Sequence, residues 1–162
     1  PRSMKNLSAF REFELYSEES DELLVTASSE WFLIDLDSRR PQRMEKMQRF
    51  EPFLTEKRAI HKTPPKINRN QPFKDLFSIT PRYSSMDMNG HTNARKYIDW
   101  LDDAIYKENG ERDLSYLHMS YFHECHLDEE LIIQSGEKGS GAFRGWKPDK
   151  EQVAFLAYVE FK

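Results

Sequence analysis

The chain has 162 residues, of which 38% are apolar and 32% charged, and its formal net charge is −4. This length accommodates one ordinary domain or two small ones, and the composition excludes both a disordered chain and a membrane protein. Cys125 is the single cysteine, so no internal disulfide can form, and the cytoplasm is the expected compartment. The longest apolar run, residues 153–159, is far shorter than the roughly 20 residues that a membrane-spanning helix needs.

The first predicted elements are two strands. Residues 8–16 and 23–35 are rich in β-branched and aromatic side chains, and a polar, turn-like segment separates them. This pattern predicts an antiparallel pair.

A basic, proline-containing stretch follows at residues 38–71, and we interpret it as a linker. It contains four prolines and few periodic apolar residues. Between residues 38 and 69 basic side chains outnumber acidic ones ten to three. Two interpretations are open: a solvated linker, or a docking surface for an acidic protein partner. Nucleic acid is a weaker candidate, since no binding motif accompanies the charge.

The pattern after the linker predicts one strand, one helix and four further strands. The first strand is expected at residues 73–83, and the later ones at 114–126, 130–137, 142–146 and 152–161. Between them lies a helix with an apolar stripe, and Asn109 and Gly110 provide its stop signal. The stripe consists of Tyr97, Trp100, Leu101, Ala104 and Ile105.

The loop before this helix contains residue types that suit hydrolysis. Asp87, Asn89 and His91 alternate along a segment that leads into the helix N-terminus, where backbone N–H groups favour developing negative charge. A hydrolase needs a base, a group that orients the base, and donors for the carbonyl oxygen. The alternative is that Asp87 and Asn89 merely shape a turn and cap the helix.

Three segments resemble the acyl-acyl carrier protein thioesterase family. Residues 83–100, YSSMDMNGHTNARKYIDW, resemble its Asp-x-Asn-x-His signature. ASSEWFLID at residues 27–35 with RRP at 39–41, and FHEC at 122–125, resemble two further family segments in the same order. One departure is Ala94, which follows Asn93 where the family pattern has a second Asn.

This resemblance implies an α+β double hot-dog, in which each antiparallel sheet wraps a central helix. It also implies hydrolysis of a fatty acyl thioester on the phosphopantetheine arm of acyl carrier protein, in fatty acid biosynthesis, without metal or cofactor. Asn89 and His91 would polarise the thioester and activate water, and Asp87 would hold this pair. Glu124 and Cys125 fall on the remaining active-site positions. Because acyl carrier protein is acidic, four residues of the basic stretch become candidate carrier-binding residues: Arg39, Arg40, Arg43 and Lys46.

Glu124 and Cys125 cannot both face His91 in a regular strand, because neighbouring side chains point to opposite faces. We favour Glu124 as base or orienter for direct attack by water. The alternative is that Cys125 is the nucleophile and forms an acyl-enzyme. If Cys125 has no catalytic role, we expect it to be buried as a small apolar residue. A metal site at His118, His123, Cys125 and His126 is not supported by their spacing.

The resemblance divides the chain into residues 1–37, the end of a first hot-dog unit, a basic linker at 38–71, and a second unit at 72–162. Roughly half of the first unit is missing from the pattern, so we expect a fragment of a longer enzyme. The alternative functions are a non-catalytic acyl or acyl-carrier binding module and an acyl-coenzyme A thioesterase. A plastid is the alternative location to the cytoplasm.

Overall fold

The computed structural model describes residues 3–5, 7–38, 40–44, 52 and 54–162. The chain divides into two compact units, Pro1–Thr63 and Pro64–Lys162. Within the described residues, no helix has the length and apolar character needed to cross a membrane.

The first unit contains a four-stranded antiparallel sheet in the order β1-β2-β3-β4. Its strands are β1 (Ser3–Lys5), β2 (Ser8–Tyr16), β3 (Leu23–Ile34) and β4 (Pro41–Gln42). The predicted antiparallel pair is confirmed, whereas β1 and β4 were not predicted. Several apolar side chains on β2 and β3 are about half exposed: Phe13, Leu15, Leu23, Val25, Trp31 and Phe32. The described part of this unit has no α-helix on either face.

The second unit is a five-stranded antiparallel sheet packed on one helix, α1 (Ala94–Asn109). The strands lie in the order β5-β7-β8-β9-β6. They are β5 (Lys74–Ile79), β6 (Leu114–Tyr121), β7 (Leu131–Ser135), β8 (Ala142–Lys147) and β9 (Gln152–Phe161). This arrangement confirms the predicted α+β hot-dog architecture, and it leaves β5 and β6 as the edges of the sheet.

The helix joins the sheet through the predicted apolar stripe. Tyr97, Leu101, Ala104 and Ile105 are buried, and Trp100 packs against the same cluster. Side chains of β7, β8 and β9 supply the opposite side of the core, including Leu131, Ile133, Phe143, Phe155 and Val159. The stop signal is also confirmed: Gly110 has a φ of 71°, and its N–H donates to the carbonyl of Tyr106. Burial of this stripe therefore holds the helix on the sheet.

Three predicted strands were too long. The strand predicted at 73–83 ends at Ile79, because Pro81 follows, and Tyr83–Ser85 forms a 3-10 turn. The strand predicted at 114–126 ends at Tyr121, because the N–H groups of Phe122 and His123 both donate to the carbonyl of Ala154 and the regular ladder stops. The strand predicted at 130–137 spans Leu131–Ser135. The sequence also allows a short helical turn at residues 44–47, of which positions 45–47 lie outside the described residues.

Leu101→Ala tests how strongly the helix depends on this stripe. Leu101 is 1% exposed, so truncation should leave a cavity and lower the free energy of unfolding by about 2–5 kcal/mol. Asp103→Ala, on the exposed side of the same helix, is the matched control and should change it by less than about 0.5 kcal/mol. Urea denaturation followed by circular dichroism measures both. Equal losses in the two variants would contradict this account of the core.

Candidate active site

The segment before α1 forms a closed turn that presents His91. Met86 and Thr92 pair as an isolated antiparallel bridge, and the N–H of Asp87 donates to the carbonyl of His91 at 2.7 Å. Gly90 has a φ of 75°, a left-handed conformation that a residue with a Cβ rarely adopts. Its N–H donates to the carbonyl of Asp87 at 3.1 Å. His91 therefore lies at the end of a short, internally bonded turn.

The carboxylate of Asp87 organises this turn from inside. Its Oδ1 accepts hydrogen bonds from the backbone N–H of Asn89 at 2.8 Å and of His91 at 3.1 Å. The side chain of Asn89 is exposed, whereas Asp87 and His91 are partly buried. One carboxylate thus sets the backbone of both residues that the sequence predicts to act on a substrate.

A different residue caps the helix. The side chain of Asn93 accepts a hydrogen bond from the N–H of Arg95 at 2.9 Å, and the N–H of Asn93 donates to the carbonyl of Ser85. The sequence left open that Asp87 and Asn89 shape a turn and cap the helix. Asp87 does shape the turn, but the helix is capped by Asn93 and not by Asn89. Asn89 is therefore not used in starting the helix.

Glu124 meets His91 directly. Oε2 of Glu124 lies 3.1 Å from Nε2 of His91, with side chains that are 62% and 29% exposed, respectively. A neutral imidazole that donates from Nε2 to this carboxylate keeps a lone pair on Nδ1. The arrangement can orient the ring, and it can stabilise the imidazolium that forms when Nδ1 takes a proton.

The residues next to this pair bring it together. The N–H and the hydroxyl of Thr92 both donate to the carbonyl of Cys125, at 3.0 and 2.8 Å. The N–H of Cys125 donates to the hydroxyl of Tyr97 at 3.1 Å. Because Thr92 follows His91 and Cys125 follows Glu124, these backbone bonds join the two segments that carry the pair.

Cys125 itself is fully buried in the core cluster. Burial raises the pKa of its thiol, and burial raises the pKa of the neighbouring Tyr97 hydroxyl as well. The prediction that Glu124 and Cys125 lie in a regular strand was wrong, because both lie in the irregular segment between β6 and β7. Nevertheless, their side chains do diverge: one meets His91 and the other enters the core.

The buried Lys147 and the largely buried Glu129 form an ion pair next to this segment. Nζ of Lys147, at the end of β8, is 2.8 Å from Oε2 of Glu129, and Lys150 is 2.6 Å from Oε1. The backbone N–H of His126 also donates to Oε2 of Glu129, at 3.1 Å. Burial favours the neutral carboxyl, but the hydrogen bonds from the two lysines and from His126 outweigh it and hold the pKa of Glu129 at about 2. Glu129 is therefore a carboxylate at neutral pH.

The structure does not assemble the histidines into a metal centre. His118 lies on β6, with its Nε2 3.4 Å from the hydroxyl of Ser120, whereas the His126 ring makes an edge contact with the His91 ring. Among the described residues, no group of three His, Cys, Asp or Glu side chains is placed to hold a metal ion.

The candidate carrier-binding residues fall in the first unit. Arg40 and Arg43 are exposed, whereas Arg39 and Lys46 lie outside the described residues. Three other residues that the sequence did not single out for the site are Thr92, Tyr97 and Lys147, each of which bonds the segment around Glu124. Lys147 left no distinct sequence signal, because β8 also contains the charged Arg144.

Models of one family match both parts of the chain. The acyl-ACP thioesterase C-terminal domain matches residues 70–157, and the N-terminal domain of the same family matches residues 1–49. The chain belongs to the acyl-ACP thioesterase family. An acyl-[acyl-carrier-protein] hydrolase, chloroplastic, of Cuphea viscosissima is 30% identical over 125 residues, which cover 69% of this chain and 29% of that protein. An oleoyl-acyl carrier protein thioesterase, chloroplastic, of Coriandrum sativum is 29% identical over 121 residues, covering 68% and 33%.

Solved thioesterases share the fold. An acyl-ACP thioesterase of Bacteroides thetaiotaomicron superposes with a TM-score of 0.77 at 22% identity, covering 99% of this chain and 65% of its own. The 12:0-ACP thioesterase of Umbellularia californica gives a TM-score of 0.76 at 21% identity with the same coverage. The present family member thus spans about a third of the curated relatives above and about two thirds of these solved chains.

The burial of Cys125 predicts a slow thiol. At pH 7.5 iodoacetamide should alkylate the folded protein at least about tenfold more slowly than the urea-unfolded protein, because the thiol is inaccessible and its raised pKa disfavours the thiolate. Because Cys125 is the single cysteine, mass spectrometry of the intact chain reports it alone. Equally rapid modification of the folded protein would show that the thiol is accessible.

Proposed function

We propose that this family member hydrolyses the thioester between a fatty acyl chain and the phosphopantetheine arm of acyl carrier protein, releasing a free fatty acid in fatty acid biosynthesis. The observation that carries the proposal is the 3.1 Å contact between His91 Nε2 and Glu124 Oε2, which forms a histidine–carboxylate pair beside the Asp87 turn. The names of the relatives, acyl-ACP hydrolases and thioesterases, support the same reaction and carrier.

In the proposed reaction, His91 is the base and Glu124 orients it. Nδ1 of His91 takes a proton from water as the water oxygen attacks the thioester carbonyl, and Glu124 stabilises the resulting imidazolium. The exposed amide of Asn89 donates to the carbonyl oxygen as negative charge develops there. The carbon–sulfur bond then breaks, and His91 gives the proton to the thiolate of the phosphopantetheine arm. The products are a fatty acid and the free carrier thiol.

Attack by water is favoured over a cysteine nucleophile. A nucleophilic thiol has to reach the carbonyl carbon as a thiolate, which requires access and a lowered pKa. Cys125 is fully buried, and burial raises its pKa. Its backbone groups bond to Thr92 and Tyr97, which supports a structural role at this position.

Release of thiol from acyl-acyl carrier protein tests the proposal. His91→Ala should lower kcat by about 10²–10⁴-fold, because the base is lost, and Glu124→Gln should lower it by at least about tenfold. Cys125→Ala, which changes the adjacent buried side chain, is the control and should keep kcat within about threefold of the parent. Circular dichroism confirms that each variant is folded.

Two results would contradict this mechanism. Equal loss in folded Cys125→Ala and His91→Ala would favour an acyl-enzyme formed on the cysteine. A parent chain that binds acyl-acyl carrier protein but releases no thiol would instead support a non-catalytic binding module.

We also propose that the basic stretch binds the carrier. The described part of this stretch exposes Arg40 and Arg43, and an acidic carrier is attracted by such a local excess of positive charge whatever the net charge of the chain. Arg39 and Lys46 belong to the same proposed surface by their positions in the sequence. The cytoplasm is the location expected from the cysteine content. A plastid is the second candidate, because the plant relatives are named chloroplastic.

Charge reversal tests the carrier surface. The double variant Arg40→Glu and Arg43→Glu should raise KM for acyl-acyl carrier protein by roughly tenfold at low salt, with less effect at high salt, because exposed charges are screened. KM for the smaller acyl-coenzyme A should change less than about twofold. Lys138→Glu, an exposed lysine outside the basic stretch, is the control. Equal effects on the two substrates would reject carrier recognition by these arginines.

A further inference from the structure

Lys147 is buried to an extent that is unusual for lysine. Its side chain is 3% exposed, although it is the last residue of β8. Lysine is almost never fully buried unless it is paired, because removing an ammonium group from water is costly. The partners of this residue therefore account for its position.

The ammonium group has two partners, both in the segment that carries Glu124. Nζ donates to the backbone carbonyl of Glu124 at 2.7 Å and lies 2.8 Å from the carboxylate of Glu129. That carboxylate also accepts the backbone N–H of His126 at 3.1 Å. A single side chain on β8 thus bonds the backbone on one side of Cys125 directly, and on the other side through Glu129.

These bonds complete the anchoring of residues 124–126. Thr92 and Tyr97 bond the carbonyl and the N–H of Cys125, and Lys147 adds the carbonyl of Glu124. The side chain of Glu124 is 62% exposed, so surrounding side chains cover only a minority of its surface. Its direction toward His91 depends chiefly on where its backbone is held.

We propose that Lys147 is a positioning residue of the active site, whose ammonium group holds the backbone carbonyl of Glu124 so that the carboxylate meets His91. This inference rests on the proposed hydrolysis for its kinetic consequence, but its geometric consequence is independent of activity. Stability alone does not require a lysine at this position, because well-packed apolar residues can replace a buried ion pair without loss of stability. The bond from Lys147 to the carbonyl of Glu124 therefore points to a role in placing Glu124.

Lys147→Met tests the proposal, with Lys150→Met as the matched control. Both lysines bond the carboxylate of Glu129, but Lys147 in addition holds the carbonyl of Glu124. Lys147→Met should lower kcat for acyl-acyl carrier protein by roughly 10- to 100-fold with KM nearly unchanged, because a small displacement of a reacting pair is costly. Lys150→Met should stay within about threefold of the parent.

Coupling to Glu124 separates positioning from general stability. If Lys147 acts through Glu124, adding Lys147→Met to Glu124→Gln should lower kcat by less than about a further threefold. A further loss as large as that in the parent background would overturn the proposal. Should Lys147→Met fail to fold, the double variant Lys147→Met with Glu129→Met removes both buried charges and is compared in the same way.

Crystal structures of the variants provide the readout that does not depend on activity. In Lys147→Met the separation of His91 Nε2 and Glu124 Oε2 should exceed about 3.5 Å, beyond a hydrogen bond, whereas in Lys150→Met it should stay near 3.1 Å. An unchanged separation in Lys147→Met would overturn the positioning role even if hydrolysis is confirmed. If the parent chain releases no thiol, hydrolysis is rejected. A lengthened separation in Lys147→Met would then still support the positioning role.

Discussion

The carbonyl oxygen of Cys125 accepts two hydrogen bonds from Thr92, one from its N–H and one from its hydroxyl. Both residues are buried, so these polar groups have to be paired within the protein. Each residue directly follows a predicted site residue, His91 in one segment and Glu124 in the other. The same bonds that satisfy the buried backbone therefore set the separation of the imidazole and the carboxylate, and the proposed chemistry depends on that separation.

The candidate site combines partly or fully buried residues that bond the backbone with more exposed residues to which the proposed reaction assigns contact with the substrate. Asp87 sets the turn from inside, whereas the neighbouring Asn89 is exposed and His91 is partly exposed. Beside the second segment, Lys147 is buried while Glu124 is exposed. This arrangement explains how Cys125 can stand beside the proposed catalytic Glu124 and still be a core residue: its peptide groups bond Thr92 and Tyr97, while its thiol is buried in the core.

Much of the fold was predictable because it follows from local patterns. The stripe that includes Leu101 predicted the helix and its buried face, and Gly110 marked its end. Alternation and β-branched residues predicted β2, β3 and β9, with bounds that agree closely. The end of β6 was not predictable in this way, since residues 122–126 remain strand-like in composition. There the chain leaves the ladder because two N–H groups converge on the carbonyl of Ala154, which is more than 30 residues away in sequence.

The sequence by itself determined the family, the α+β architecture, the helix, and the candidate residues Asp87, Asn89, His91, Glu124 and Cys125. It could not decide between Glu124 and Cys125, because a rule of alternating faces holds only within a regular strand. Only the tertiary structure brought one carboxylate to His91, buried the neighbouring thiol, and placed Lys147 against the backbone carbonyl of Glu124. The reason is physical: the hydrogen bonds that hold the Glu124 segment in place join residues 23 to 33 positions apart and end on backbone carbonyls, which every residue type has and no side-chain pattern records.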